Sequence, residues 1–192
     1  ISKKTTNLAG IPGDNIGITE IDGNLIFDGK IDSDINPTLI GYNTSSNSVQ
    51  RIEPNISYVG ENTGAIMFED KLWFDCNELG LGIELCWTDG ENAQSHVDYI
   101  AGVGSSTPSH LAVVENELLV IIDDSGGLLM QVDEQGMNVL WDPETGNTDV
   151  GYYGEIWVGD DYIYMICDST NNGQELYAFA HGELTGEWVA IY

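Results

Sequence analysis

The chain has 192 residues, 42% of them hydrophobic, enough to bury a sizeable core and unlike a disordered acidic tail. Its 32 Asp and Glu against 5 Lys and Arg give a net charge of −27. That charge excludes nucleic acid and anionic membrane surfaces as partners, since both are bound by cations. Twenty-three glycines with only 5 prolines exclude collagen-like and proline-rich readings, and no apolar run approaches the ~18 residues of a membrane span.

Taken in chain order, the dominant signal is a repeat. The first copy centres on Ile21-Asp22-Gly23-Asn24-Leu25-Ile26-Phe27, an apolar strand end, a tight polar turn and a new apolar strand. The same layout returns at residues 68–74, 114–120 and 159–165. Leu25, Leu72, Leu118 and Ile163 are the equivalent positions, spaced by 47, 46 and 45 residues. A third strand follows each hairpin, at residues 39–42, 85–88, 129–132 and 176–179. Fourth strands are expected at 49–52, 96–100, 138–141 and 187–191. No 3.6-residue apolar period runs long enough for a helix.

Four short strands per period of about 46 residues match the size of a propeller blade. The expected fold is therefore all-β and β-propeller-like, four tandem four-stranded antiparallel blades in one domain. Residues 1–14 form an N-terminal strand and connector, and the blades occupy 15–54, 55–104, 105–147 and 148–192. Segments such as 118–122, apolar on both sides, call for sheets stacked face to face.

The termini add a surplus. Residues 5–13 have the layout of a fourth strand with its connector, so the chain holds five fourth-strand candidates for four hairpin units. That surplus suggests a segment of a longer array, a ring completed by another chain, or strand exchange through Thr5, Leu8, Trp188 and Ile191 into a homo-oligomer. A frayed arm is the plainer alternative. Starting at Ile1, the sequence fits a cleaved secretory signal or a fragment.

Chemistry-bearing residues are sparse. The loop Asp32-Ser33-Asp34-Ile35-Asn36 alternates oxygen ligands as Ca²⁺ requires. Pro37 stands where a helix-loop-helix calcium loop needs glycine, and Asn43 where it needs glutamate, so that motif fails. A different Ca²⁺ site through Asp28, Asp32 and Asp34 remains a candidate, against polar turns as the plain reading. Cys76 and Cys86 are candidates for a cross-strand disulfide, with buried free thiols as the alternative. Ser95 and His96 are sequence neighbours on an expected strand, so they point to opposite faces and make no catalytic pair. No nucleophile elbow or phosphate loop is present. Trp73 and Trp157 are expected in packing between units, and Trp141 and Trp188 on outer strands. Asn43 and Asn55 begin glycosylation sequons.

Glu84-Leu85-Cys86-Trp87-Thr88-Asp89-Gly90, with Gly173-Gln174-Glu175-Leu176-Tyr177 in the last unit, resembles the ELWxxDGT repeat of bacterial and archaeal surface proteins. The first and third units depart from it, and Cys86 and Tyr177 stand in place of its tryptophan. The resemblance implies a secreted or cell-surface β-propeller and no catalytic residues. The function expected is non-catalytic binding or adhesion to protein, glycan or cell surface. A self-assembling structural subunit is the first alternative, a propeller-type hydrolase or lyase the second.

Overall fold

A computed structural model describes residues 17–31, 36–57, 59–60, 63–122, 127–141, 150–152, 156–169, 173–180 and 189–191. The described residues form 18 strands in four antiparallel sheets and no helix. Sheet 1 comprises β1 (Ile18–Ile21), β2 (Asn24–Gly29), β3 (Thr38–Asn43) and β4 (Ser48–Arg51), paired in sequence order. Sheet 2 holds β5 (Ile56–Ser57), β6 (Ala65–Phe68), β7 (Lys71–Glu78), β8 (Gly82–Thr88) and β9 (Ala93–Ser95). Sheet 3 is β10 (Pro108–Val114), β11 (Glu117–Ile122), β12 (Leu128–Asp133) and β13 (Gly136–Trp141). Sheet 4 is β14 (Val150–Tyr152), β15 (Trp157–Val158), β16 (Tyr162–Ser169), β17 (Gly173–Ala180) and β18 (Val189–Ile191).

The hairpins set this register. Asp22-Gly23, Glu69-Asp70 and Glu115-Asn116 each have positive φ at both turn residues, the mirror-image turn whose twist suits two antiparallel strands. They close the pairs Ile21↔Asn24, Phe68↔Lys71 and Val114↔Glu117. Leu25, Leu72, Leu118 and Ile163 consequently occupy the second full strand of their sheets, β2, β7, β11 and β16.

Two expectations are corrected. Sheets 2 and 4 have five strands, not four, because the first strand is broken: β5 and β6 both pair with β7, and β14 and β15 both pair with β16. In sheet 2 the break is held by the buried Asp75. Its Oδ1 accepts from the Thr63 N–H and hydroxyl, both at 2.9 Å, and its carbonyl accepts from Gly60 N–H at 2.7 Å. The fourth strand of sheet 2 lies at Ala93–Ser95, not at 96–100. A tight turn pairs Thr88 with Ala93, so the chain returns at once. Residues 96–106 then lie along the outer edge of β8: His96 N–H and Ser106 N–H donate to the carbonyls of Leu85 and Ile83, and Ile83 N–H donates to Ser105 Oγ.

The chain divides into two compact units, Ile1–Ser106 and Thr107–Tyr192. In the first, Ile21, Ile26 and Leu39 of sheet 1 share a buried cluster with Leu72, Phe74, Cys76 and Cys86 of sheet 2. Burial of each such Leu, Ile or Phe is worth about 1.5–3 kcal/mol. In the second, Leu119, Ile121 and Leu129 of sheet 3 share a cluster with Ile163 and Met165 of sheet 4. Both clusters use the same repeat positions. The earlier sheet contributes the face one residue past its register leucine (Ile26, Leu119), and the later sheet the face of its register residue (Leu72, Ile163).

Candidate functional site

The corner formed by β8, β9 and residues 96–106 contains the motif Glu84 to Gly90, and each of its residues has a local duty. Glu84 is fully buried; Ser106 Oγ donates to its Oε2 at 2.5 Å and Ser106 N–H to its Oε1 at 3.2 Å. Burial raises the Glu84 pKa above the ordinary carboxylate value, and donation from Ser106 and from the Tyr99 backbone only partly offsets this. Thr88 donates to the Asn92 carbonyl at 2.6 Å and accepts from Gly90 N–H at 3.0 Å. Asp89 Oδ1 accepts from the Glu91 and Asn92 N–H groups. Partial burial raises the Asp89 pKa, but these bonds outweigh it and hold the carboxyl below its usual range. Gly90, at φ +94°, lies against Ile21, where a Cβ would stand 3.2 Å from the Ile21 Cβ. The motif is thus the joint that closes the edge of sheet 2 and seats it on sheet 1.

Cys76 and Cys86 are joined by a disulfide with Cα atoms 5.8 Å apart, both side chains wholly buried. Their directly opposed partners are Glu84 and Phe74, so the bond links diagonal neighbours on one face of β7 and β8. The opposite face carries Trp73 and Trp87, a directly opposed pair. Lys71 Nζ lies 4.5 Å from the Trp87 ring centre and 5.9 Å from that of Trp73, and the His96 ring meets Trp73 edge-on at 5.0 Å. Trp73 is buried.

Of the calcium candidates, only Asp28 lies among the described residues. Asp28 is buried in β2, while Asp32 and Asp34 lie outside the described residues. Among the described residues no three His, Cys, Asp or Glu side chains are grouped to hold a metal ion. Of the strand-exchange candidates, Thr5, Leu8 and Trp188 lie outside the described residues, as does the extra N-terminal strand. Ile191 ends β18, where its backbone pairs with Leu176.

Trp157 differs from expectation. It is 68% exposed on β15. β16 is one-sided: Ile163 and Met165 point into the core, whereas Tyr162 and Ile166 are 46% and 41% exposed. Trp157 is paired with Tyr164, and Leu176, 40% exposed, with Ile166, so all lie on the outer face. The Trp157 and Tyr164 rings are 6.4 Å apart, and those of Tyr164 and Tyr162 6.3 Å, in tilted arrangements. Three aromatic rings in a row on one face of a sheet, flanked by aliphatic side chains, form a stacking platform that can bury a planar or apolar partner. In the sequence Trp157 looks like any core tryptophan. Its exposure depends on what covers that face, which strand alternation alone does not state.

No protein-family model matches the chain, and no curated protein matches it.

Proposed function

We propose that the chain is a secreted or cell-surface, β-propeller-like repeat module that works by binding, and that the outer face of sheet 4 is its contact surface. The observation that carries this reading is the aromatic row Trp157, Tyr164 and Tyr162, with Trp157 and Tyr162 exposed, in a chain of net charge −27. Large exposed aromatic side chains with polar tips are the usual anchors of protein and glycan contacts, because they bury much area at little conformational cost. The repeat of sheets joined through equivalent faces supports the propeller-like arrangement. The Cys76–Cys86 disulfide supports an oxidising compartment, hence the secreted location. The motif corner supports the absence of a catalytic duty for Glu84 to Gly90, whose polar groups are committed to holding the sheet edge and its turn.

A glycan array and a cell-surface binding assay with the labelled chain test the proposal. Binding by the wild type that falls at least tenfold in Trp157→Ala with Tyr162→Ala, with an unchanged circular dichroism spectrum, is the expected result. Binding indifferent to that double substitution, or turnover of a substrate by the chain, overturns it.

A further inference from the structure

The two buried clusters obey one rule, and that rule identifies a complement for the exposed face. In each compact unit the face one residue past the register position packs against the register face of the sheet that follows. Ile26 and Leu119 therefore play the part on sheets 1 and 3 that Tyr164 would play on sheet 4, being the equivalent positions. On sheet 4 that face carries Trp157, Tyr162, Tyr164, Ile166 and Leu176, four of them at least 40% exposed. The register face of sheet 1 is the counterpart. It carries Leu25 and Phe27, half-buried, Ile18, which lies opposite Phe27 and is 74% exposed, the exposed Glu20 opposite Leu25, and the buried Ile40 on the other side of Phe27. Sheet 4 thus presents the giving half of the repeat's own joint, and sheet 1 presents the receiving half.

Charge agrees. In a chain with 32 acidic residues, positions 157, 162, 164, 166, 176 and 178 of the sheet 4 face hold Trp, Tyr, Tyr, Ile, Leu and Ala, and a carboxylate position is reached only at Asp168, towards the end of β16. Depletion of charge from an exposed patch with aromatic enrichment is the compositional mark of an interface core.

Resting on the reading of this face as the contact surface, we infer that its partner is a second copy of the chain, whose sheet 1 register face stacks on it as sheet 2 stacks on sheet 1. The contact is head-to-tail. It uses different patches on the two copies, so it propagates into longer assemblies or closes into a ring of copies. The high net charge opposes it, and salt that screens the carboxylates strengthens it.

Sedimentation of the full chain over a wide concentration range, in low and high salt, tests the inference. The wild type is expected to grow in mass with concentration, more strongly in high salt. Trp157→Asp with Tyr162→Asp removes one half of the joint, and Ile18→Asp the other. Because these side chains are exposed, both variants should keep the wild-type circular dichroism spectrum, and each alone should weaken assembly at least tenfold. Mixed together, each variant still has the half that the other lacks, so the pair should form a dimer that grows no further. A wild type that stays monomeric at all concentrations overturns the inference, as do variants that assemble alone or a mixture that stays monomeric. A monomeric wild type that still binds a glycan or a cell surface through Trp157 leaves the binding reading intact and removes only the second copy as its partner. An assembling wild type with no external ligand does the reverse.

Discussion

Cys76 and Cys86 show how much turns on strand register. The disulfide closes a 10-residue separation across β7 and β8 and lies in the cluster shared by sheets 1 and 2. Constraining a loop of that length in the unfolded chain is worth about 2–3 kcal/mol. Replacing both cysteines by alanine should cost about that much, measured by denaturant unfolding. Thiol titration in denaturant without reductant should find one free thiol, Cys167, and three after reduction; three before reduction would contradict the bond. The sequence alone left disulfide and free thiols both open. The hairpin places Cys76 near Cys86, but whether Glu84 or Cys86 stands directly opposite it is a two-residue difference of register that only the ladder fixes. Glu84 was similarly invisible. A glutamate inside a strand reads as a solvated position until the partner arriving 22 residues later, Ser106, is seen to donate to it.

Elements were far more legible than residues. Asp22-Gly23 and its relatives announce two-residue hairpins because Gly23, Asp22, Asp70 and Asn116 are of the types that tolerate positive φ, and the hairpins carry the register of whole sheets. The broken first strands of sheets 2 and 4 were not legible, since β5 and β15 are two residues long and carry no alternation to read. Nor was the early return of β9, which follows from the tight turn at Asp89. The connector after β9 depends on a close approach of backbone to backbone. Gly82, at φ +83°, lies against Gly104, whose carbonyl oxygen would be 2.0 Å from an added Cβ. Gly82→Ala should therefore strain β8 and push residues 96–106 off its edge, at a cost of at least about 2 kcal/mol in unfolding free energy. Gly80→Ala, also at positive φ but with open space around it, separates the two effects and should cost only about 1 kcal/mol. Equal costs for the two substitutions would contradict the close packing of the connector.

On the scale of the whole molecule, the account is a repeat whose copies each hide a neighbour's apolar face. β7 and β11 are buried on both faces, β11 as its unbroken apolar run requires and β7 with Asp75 buried on the Trp73 face, whereas β16 alternates between buried and exposed. The apolar run at 118–122 foretold this for β11. The one-sided character of sheet 4 escaped because Tyr162-Ile163-Tyr164-Met165-Ile166 has no polar alternate, and aromatic residues suit either a core or a contact surface equally. The claim beneath all of this is that four equivalent strands, in the Leu25, Leu72, Leu118 and Ile163 register, form the inner ladder of four separate sheets. Amide hydrogen exchange of the full chain, read by mass spectrometry, tests that most directly. Slow exchange is predicted in four blocks at residues 24–29, 71–78, 117–122 and 162–169, with matching slow segments in the third strands and fast exchange at the turns 22–23, 69–70 and 115–116. A slow block centred on one of those turns, or outer strands as protected as inner ones throughout, would contradict it.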